Sequence, residues 1–275
     1  INVATHLIAS YRRFRIYVTW DWLELVELLP ERQKLIELLE GRLKTAKRRL
    51  VRNVYNKQIQ KLKQPIENGI IDRPYRDFYH VVVVPFVDES YMVLKSTLEA
   101  LATVEYPKDR MIILLASEER AGEAAARTAK TVEKEFGDVF FKLVTTVHPD
   151  GLPGEIKGKS ANASYAVSSL LPYLDEWGID HDLVMISNLD SDTIVHPQYF
   201  ARVMYEFLTN QKPYRRSYQP IAIYNNNIWD SPAFIRVVSV SNSFWQFTES
   251  SRPNRLRTFS SHSMTLKALK EVGFW

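Results

Sequence analysis

The sequence predicts an α/β protein, a mostly parallel sheet flanked by helices, with a helical extension in front of it. Three observations carry this. Short apolar runs at 79–84, 111–116, 141–147 and 183–189 have the length and β-branched character of strands buried on both faces. Helical patterns separate successive runs, and strand-helix alternation of this kind builds a parallel sheet. Residues 1–72 carry no such runs and instead repeat apolar residues at three- and four-residue steps.

The 275 residues suffice for one large domain, or a domain with an appendage. A hydrophobic content of 45% with 25% charged residues describes a globular chain. No apolar run approaches the length of a membrane span. With no cysteine, a disulfide framework and a cysteine-based zinc site are excluded. The chain starts at Ile1 and stops at Trp275, and both ends read as cuts in a longer protein. Of the 36 basic residues, nine fall between Arg42 and Lys63, where no acidic residue occurs; the remaining 27 face 32 acidic ones. Basicity therefore belongs to one segment.

In the N-terminal region (1–72), Ile36, Leu39, Leu43, Ala46, Leu50 and Val54 form one apolar stripe, with the basic residues on the other faces. Such a helix either packs on the main domain or lies near an anionic membrane surface. The Tyr11-Arg-Arg-Phe-Arg15 and Trp20-Asp-Trp22 stretches suit a membrane flank. Nucleic acid is not an expected partner, because no nucleic-acid motif accompanies the charge. Pro65 to Pro74, with Gly69 between, marks a boundary, and 73–275 forms the α/β domain. There the first strand stops at Pro85, and a helix follows from about Glu89 to Val104 with Asp88 or Ser90 as cap. Further helices are predicted at 121–136, 160–174 and, started by Pro197, 197–210, with a strand at 220–224 and a last helix toward Glu271. A Gly- and Pro-rich loop spans 148–157. The segment 225–245 is rich in Asn, Trp and Phe, which suits a polyhydroxylated ligand or an amphipathic cover equally.

Ligands of such sheets bind at the carboxyl ends of the strands. Those ends here are acidic: Asp88-Glu89, Glu118-Glu119 and Asp190-Ser-Asp192. If the last turn stays extended, Asp190 and Asp192 point to the same side, with Ser191 opposite. Two hard oxygen ligands at that edge suit a divalent cation, Mg²⁺ or Mn²⁺, that also holds a diphosphate.

In order, Val83-Val-Pro85, Asp88-Glu89, Glu118, Lys159 with Asn162, and Asp190-Ser-Asp192 resemble glycosyltransferase family 2 on the GT-A fold, a Rossmann-like architecture, over residues 78–275. The resemblance implies an inverting transferase using a nucleotide-sugar donor, UDP by default, and a polysaccharide, glycan or lipid acceptor. It implies that Pro85, Asp88, Glu89 and Glu118 lie against base and ribose, that Lys159 and Asn162 approach the donor, and that Asp190 and Asp192 hold the metal. It also implies the cytoplasmic face of a membrane, reached through segments outside this chain. The resemblance is incomplete. The family often has Asn where Asp88 stands and an Asp-rich turn where Ser117-Glu118-Glu119 stands, and no Gln-x-x-Arg-Trp motif occurs. The catalytic base is expected just beyond Trp275, and Asp230 and Glu249 are the carboxylates within the chain that could replace it. Two alternatives stand beside this reading: a non-catalytic nucleotide-sugar-binding scaffold on the same fold, and a P-loop NTPase built on Gly154-Glu-Ile-Lys-Gly158-Lys159-Ser160. The P-loop needs four residues between its glycines; here there are three, and Pro153 stands where the first Gly should.

Overall fold

A computed structural model describes residues 2–156, 158–225, 228–252 and 261–275. Helices α1 (Asn2–Tyr17), α2 (Trp22–Glu27), α3 (Arg32–Thr45) and α4 (Arg49–Lys63) come first. Then follow β1 (Tyr79–Pro85), α5 (Tyr91–Thr103), β2 (Met111–Glu118), α6 (Gly122–Phe136), β3 (Lys142–His148), α7 (Lys159–Glu176) and β4 (Val184–Asn188). The rest comprises α8 (Tyr199–Leu208), β5 (Ser217–Tyr218), α9 (Ala233–Ser250), β6 (His262–Thr265) and α10 (Leu266–Glu271). None of the described helices is long and apolar enough to cross a membrane.

The predicted α/β class is what forms. Six strands lie in the order β3-β2-β1-β4-β6-β5. Strands β1 to β4 are mutually parallel, and β6 runs antiparallel to both β4 and β5. Alternation within each strand divides the core in two. Val82, Val84, Ile113 and Leu115 face α5, α6, α8 and the N-terminal helices. Val81, Val83, Ile112, Leu114 and Ile186 face α7 and α10. Because β1, β2 and β4 are buried on both faces, their sequences read as unbroken apolar runs.

The N-terminal helices share the first of these cores with α8. Asp21 caps α2 by accepting from Glu24 N at 3.0 Å. Trp22 is buried against Tyr205 of α8, ring centroids 5.3 Å apart, and the Arg202 guanidinium lies 4.4 Å over its ring. The predicted stripe from Ile36 to Val54 is not one helix. The backbone turns extended at Ala46 and Arg48, and Arg52 Nη1 caps the end of α3 by donating to Leu43 O at 3.1 Å and Ala46 O at 3.3 Å. Ile36, Leu39 and Val54 are buried in the shared core, so the apolar stripe packs within the protein. Much of the basic segment is likewise engaged: Lys61 pairs with Glu206 at 3.0 Å, Lys63 with Glu40 at 2.6 Å, and Arg42 with Glu24.

The strand expected at 220–224 does not form; β5 ends before it. Pro220 cannot donate to a ladder, and the following N–H groups are taken by α9 side chains. Ala222 N donates to Gln246 Oε1 at 2.7 Å, and Tyr224 N to Ser243 Oγ at 3.4 Å.

Candidate functional site

The site lies at the carboxyl edge of β1, β2 and β4. Leu189 N donates to Val83 O at 2.9 Å, which carries the β4 backbone one residue past the ladder. The chain then turns, with Thr193 N donating to Asp190 O at 3.0 Å. This is a β-turn, so the extended path expected through Asp190, Ser191 and Asp192 is not followed. Closing the turn buries Ser191, while Asp190 and Asp192 are half-buried at the surface.

Two elements clamp this turn. Glu89, after β1, accepts from Ser191 Oγ at 2.7 Å and from Val87 N at 2.7 Å. Burial pushes its pKa up, but these donors outweigh it and hold the carboxyl below its ordinary value. From α5, Thr97 Oγ1 donates to the carbonyl of Ser191 at 2.7 Å. Glu89 was expected on the donor; both of its oxygens instead brace one loop against the other.

The first residue of α7 supplies the cation. Lys159 Nζ forms an ion pair with Asp190 Oδ1, and Ser261 Oγ donates to Asp190 Oδ2 at 3.4 Å. Asn162, one turn later, is 1% exposed and donates through Nδ2 to Ala116 O at 2.8 Å. That bond holds the start of α7 against the end of β2, so Asn162 sets the position of Lys159 and does not itself reach the surface. Asp88 is exposed, and Pro85 is buried beneath it.

Glu118, at the end of β2, is buried and paired with Arg120, whose guanidinium its carboxylate holds above the ordinary pKa. Beside it is a cavity of about 30 Å³ lined by Glu118, Arg120, His148, Asp150 and Glu155. That is room for about one water.

A family model described as glycosyltransferase-like family 2 matches residues 76–217, more than half of the 275. The chain belongs to glycosyltransferase-like family 2. No curated protein matches it. Among solved structures it is similar to the mannosyltransferase PcManGT from Pyrobaculum calidifontis in complex with GDP-Man and Mn²⁺, at 14% identity and a TM-score of 0.43. That match covers 92% of this chain, which spans 59% of the length of the other.

In this family member, Asp190 and Asp192 have the donor chemistry that a divalent cation would need. Asp190 and Asp192 are hard oxygen donors, and the ammonium of Lys159 already rests on Asp190, so the edge favours positive charge. Among the described residues no group of three or more His, Cys, Asp or Glu side chains converges to cage a metal. Mg²⁺-type sites commonly use one or two carboxylates and take their remaining oxygens from phosphates and water.

The candidate bases lie elsewhere. Glu249, near the end of α9, is buried and paired with Arg252 at 3.6 Å. The side chain of Asp230 lies outside the described residues. His196, near Asp192 in sequence, is turned the other way: its Nδ1 accepts from Gln198 N at 3.1 Å in the turn before α8.

Sequence reasoning missed the far wall of the site. Register places His262 of β6 opposite Asn188, next to the Asp190 turn. Trp275 Nε1 donates to His262 Nε2 at 3.0 Å, and Trp275 N to Ser164 Oγ of α7 at 3.1 Å. The available signal was the polar run Ser260-Ser-His-Ser263, which marks a strand only once its partner strand is known.

Proposed function

We propose that this chain carries the donor site of an inverting glycosyltransferase, which moves a sugar from a nucleoside diphosphate to an acceptor hydroxyl. The observation that carries this reading is the clamped Asp190–Asp192 turn with Lys159 seated on it, at the strand edge where α/β sheets bind ligands. Mg²⁺ or Mn²⁺, held by Asp190 and Asp192, supplies charge neutralisation for the departing diphosphate.

The chain's own residues do the rest. Glu89 and Thr97 fix the turn, so its carboxylates need no reordering when a donor arrives. Lys159 adds a positive charge beside the diphosphate. Pro85, Asp88 and Glu118 border the nucleoside, taken here as uridine. The acceptor is a polysaccharide, a glycan or a lipid, handled at the cytoplasmic surface of a membrane. A carboxylate outside the described residues takes the acceptor proton as the acceptor oxygen attacks the anomeric carbon.

The test is donor turnover. With Mn²⁺ or Mg²⁺ present, release of nucleoside diphosphate from a panel of nucleotide sugars should depend on metal, and Asp192→Asn should lower it on the order of 100-fold. Metal-dependent binding by titration calorimetry with no turnover identifies a scaffold instead. ATP hydrolysis that Lys159→Ala abolishes identifies an NTPase.

A further inference from the structure

We propose that α9 and α1 together form a docking face for an anionic lipid bilayer. The inference deepens the membrane setting proposed above and is independent of the donor chemistry. The decisive feature is the exposed face of α9 from Phe234 to Trp245, an apolar surface that the described residues leave uncovered. Phe234 is 69% exposed and Val237 66%, with Val238, Phe244 and Trp245 also exposed and Trp229 leading in at 73%. A contiguous apolar surface of this kind marks an interaction site. Large aromatic side chains at its borders are the composition of a helix lying in a membrane interface. The C-terminal end of α9 is anchored. Phe247 is buried and makes edge contacts with Tyr11 and Phe14 of α1, and His6 Nδ1 lies 2.7 Å from Ser251 Oγ.

Helix α1 joins this apolar segment to a cationic one. Ile8, Tyr11, Arg12 and Arg15 are all exposed, and the pairs 8/11, 8/12, 11/15 and 12/15 are three or four residues apart, so they share a face. Arg12 and Arg15 then form one wall of a cleft of about 940 Å³, whose other walls include Arg42, Arg48, Trp20 and Tyr55. The one carboxylate in that lining, Asp21, is committed to the cap of α2, and Arg42 is paired with Glu24. Among the described residues, no carboxylate pairs with Arg12, Arg15 or Arg48. Apolar insertion by α9 with phosphate-seeking guanidinium groups at its flank matches a bilayer that carries acidic headgroups.

The experiment is co-sedimentation of the 275-residue chain with vesicles of phosphatidylcholine alone and of phosphatidylcholine with phosphatidylglycerol. Binding is expected chiefly to the acidic vesicles, and it should weaken with added salt. Replacing Arg12 and Arg15 by Gln should lower partitioning about fivefold per charge. Val237→Glu should abolish it while leaving the thermal midpoint unchanged. Wild-type tryptophan fluorescence should be quenched by brominated lipid, and less so in Trp229→Phe/Trp245→Phe. Absence of vesicle binding, binding indifferent to both sets of substitutions, or a dimer that Val237→Glu dissociates would overturn the proposal. None of those results touches nucleotide-sugar turnover, which is measured without lipid.

Discussion

Lowering the pH from 6.5 to about 4.5 charges His80 in the unfolded chain but not in the folded one. His80 is fully buried on β1, with its ring 4.5 Å from that of Phe200, and burial holds its pKa down at about 3 from an ordinary 6.5. Its Nε2 lies 2.7 Å from Ser187 Oγ, which is 2.5 Å from Ser263 Oγ, which is 2.9 Å from the Tyr199 hydroxyl. Neutral imidazole therefore joins β1, β4, β6 and α8 through one buried chain of polar groups. Below pH 6.5 the unfolded chain binds a proton that the native state refuses, so stability falls as pH falls. The loss amounts to about 1.36 kcal/mol per pH unit, or about 2.7 kcal/mol by pH 4.5. Urea unfolding followed by tryptophan fluorescence, at half-unit pH intervals, measures this in the wild type and in His80→Gln. The difference between the two curves isolates His80, because every other titrating group is common to both. The wild type should lose about 2.3 kcal/mol more than the variant between about pH 6.5 and 4.5, the rest of the loss falling above pH 6.5. Parallel curves would refute the claim that this imidazole stays neutral in the fold.

Three further outcomes probe the clamp around the Asp190 turn. Lys159→Ala should leave the urea midpoint nearly unchanged, because the half-exposed pair with Asp190 contributes about 0–1 kcal/mol, yet it should weaken donor binding in calorimetry by at least about tenfold. Glu89→Gln should destabilise by about 1–3 kcal/mol in urea. Because Glu89 has a folded pKa below its ordinary 4.5, its contribution is complete above that pH and fades as pH falls through the folded value. A deficit that persists unchanged at acid pH would show that the carboxylate charge is irrelevant. Thr97→Val strands the buried carbonyl of Ser191 and should cost about 1–3 kcal/mol. Its effect should also appear as a raised donor KM, measured alongside the melt.

The sheet was legible because β1, β2 and β4 are covered on both faces, and continuous apolar runs follow from that. What the sequence could not show were the features decided between distant segments. Residues 220–224 have strand-like composition, but Gln246 and Ser243, some twenty positions away, take their N–H groups. The Ile36–Val54 stripe keeps its period through a break in the helix, since α3 and α4 both bury it in the same core. His262 and Trp275 join the site only through an antiparallel pairing across β4, which no local pattern encodes.

Sequence reasoning placed every carboxylate at the strand ends on the donor, yet the fold sorts them by what surrounds them. Glu118 and Glu89 sit where a carboxylate's oxygens are consumed internally, by Arg120 in one case and by Val87 and Ser191 in the other. Asp190 and Asp192 come one residue either side of Ser191, the residue the clamp grips, and so both remain at the surface while their backbone is fixed. A serine between two aspartates is therefore not a spacer in this turn. Its hydroxyl and its carbonyl are the two handles by which β1 and α5 hold the acidic pair, so Ser191→Ala should release the hydroxyl contact while retaining both carboxylates. If metal-dependent turnover falls in that variant with the charge of the site unchanged, the rigidity of the turn matters as well as its charge; if turnover is unaffected, charge alone suffices.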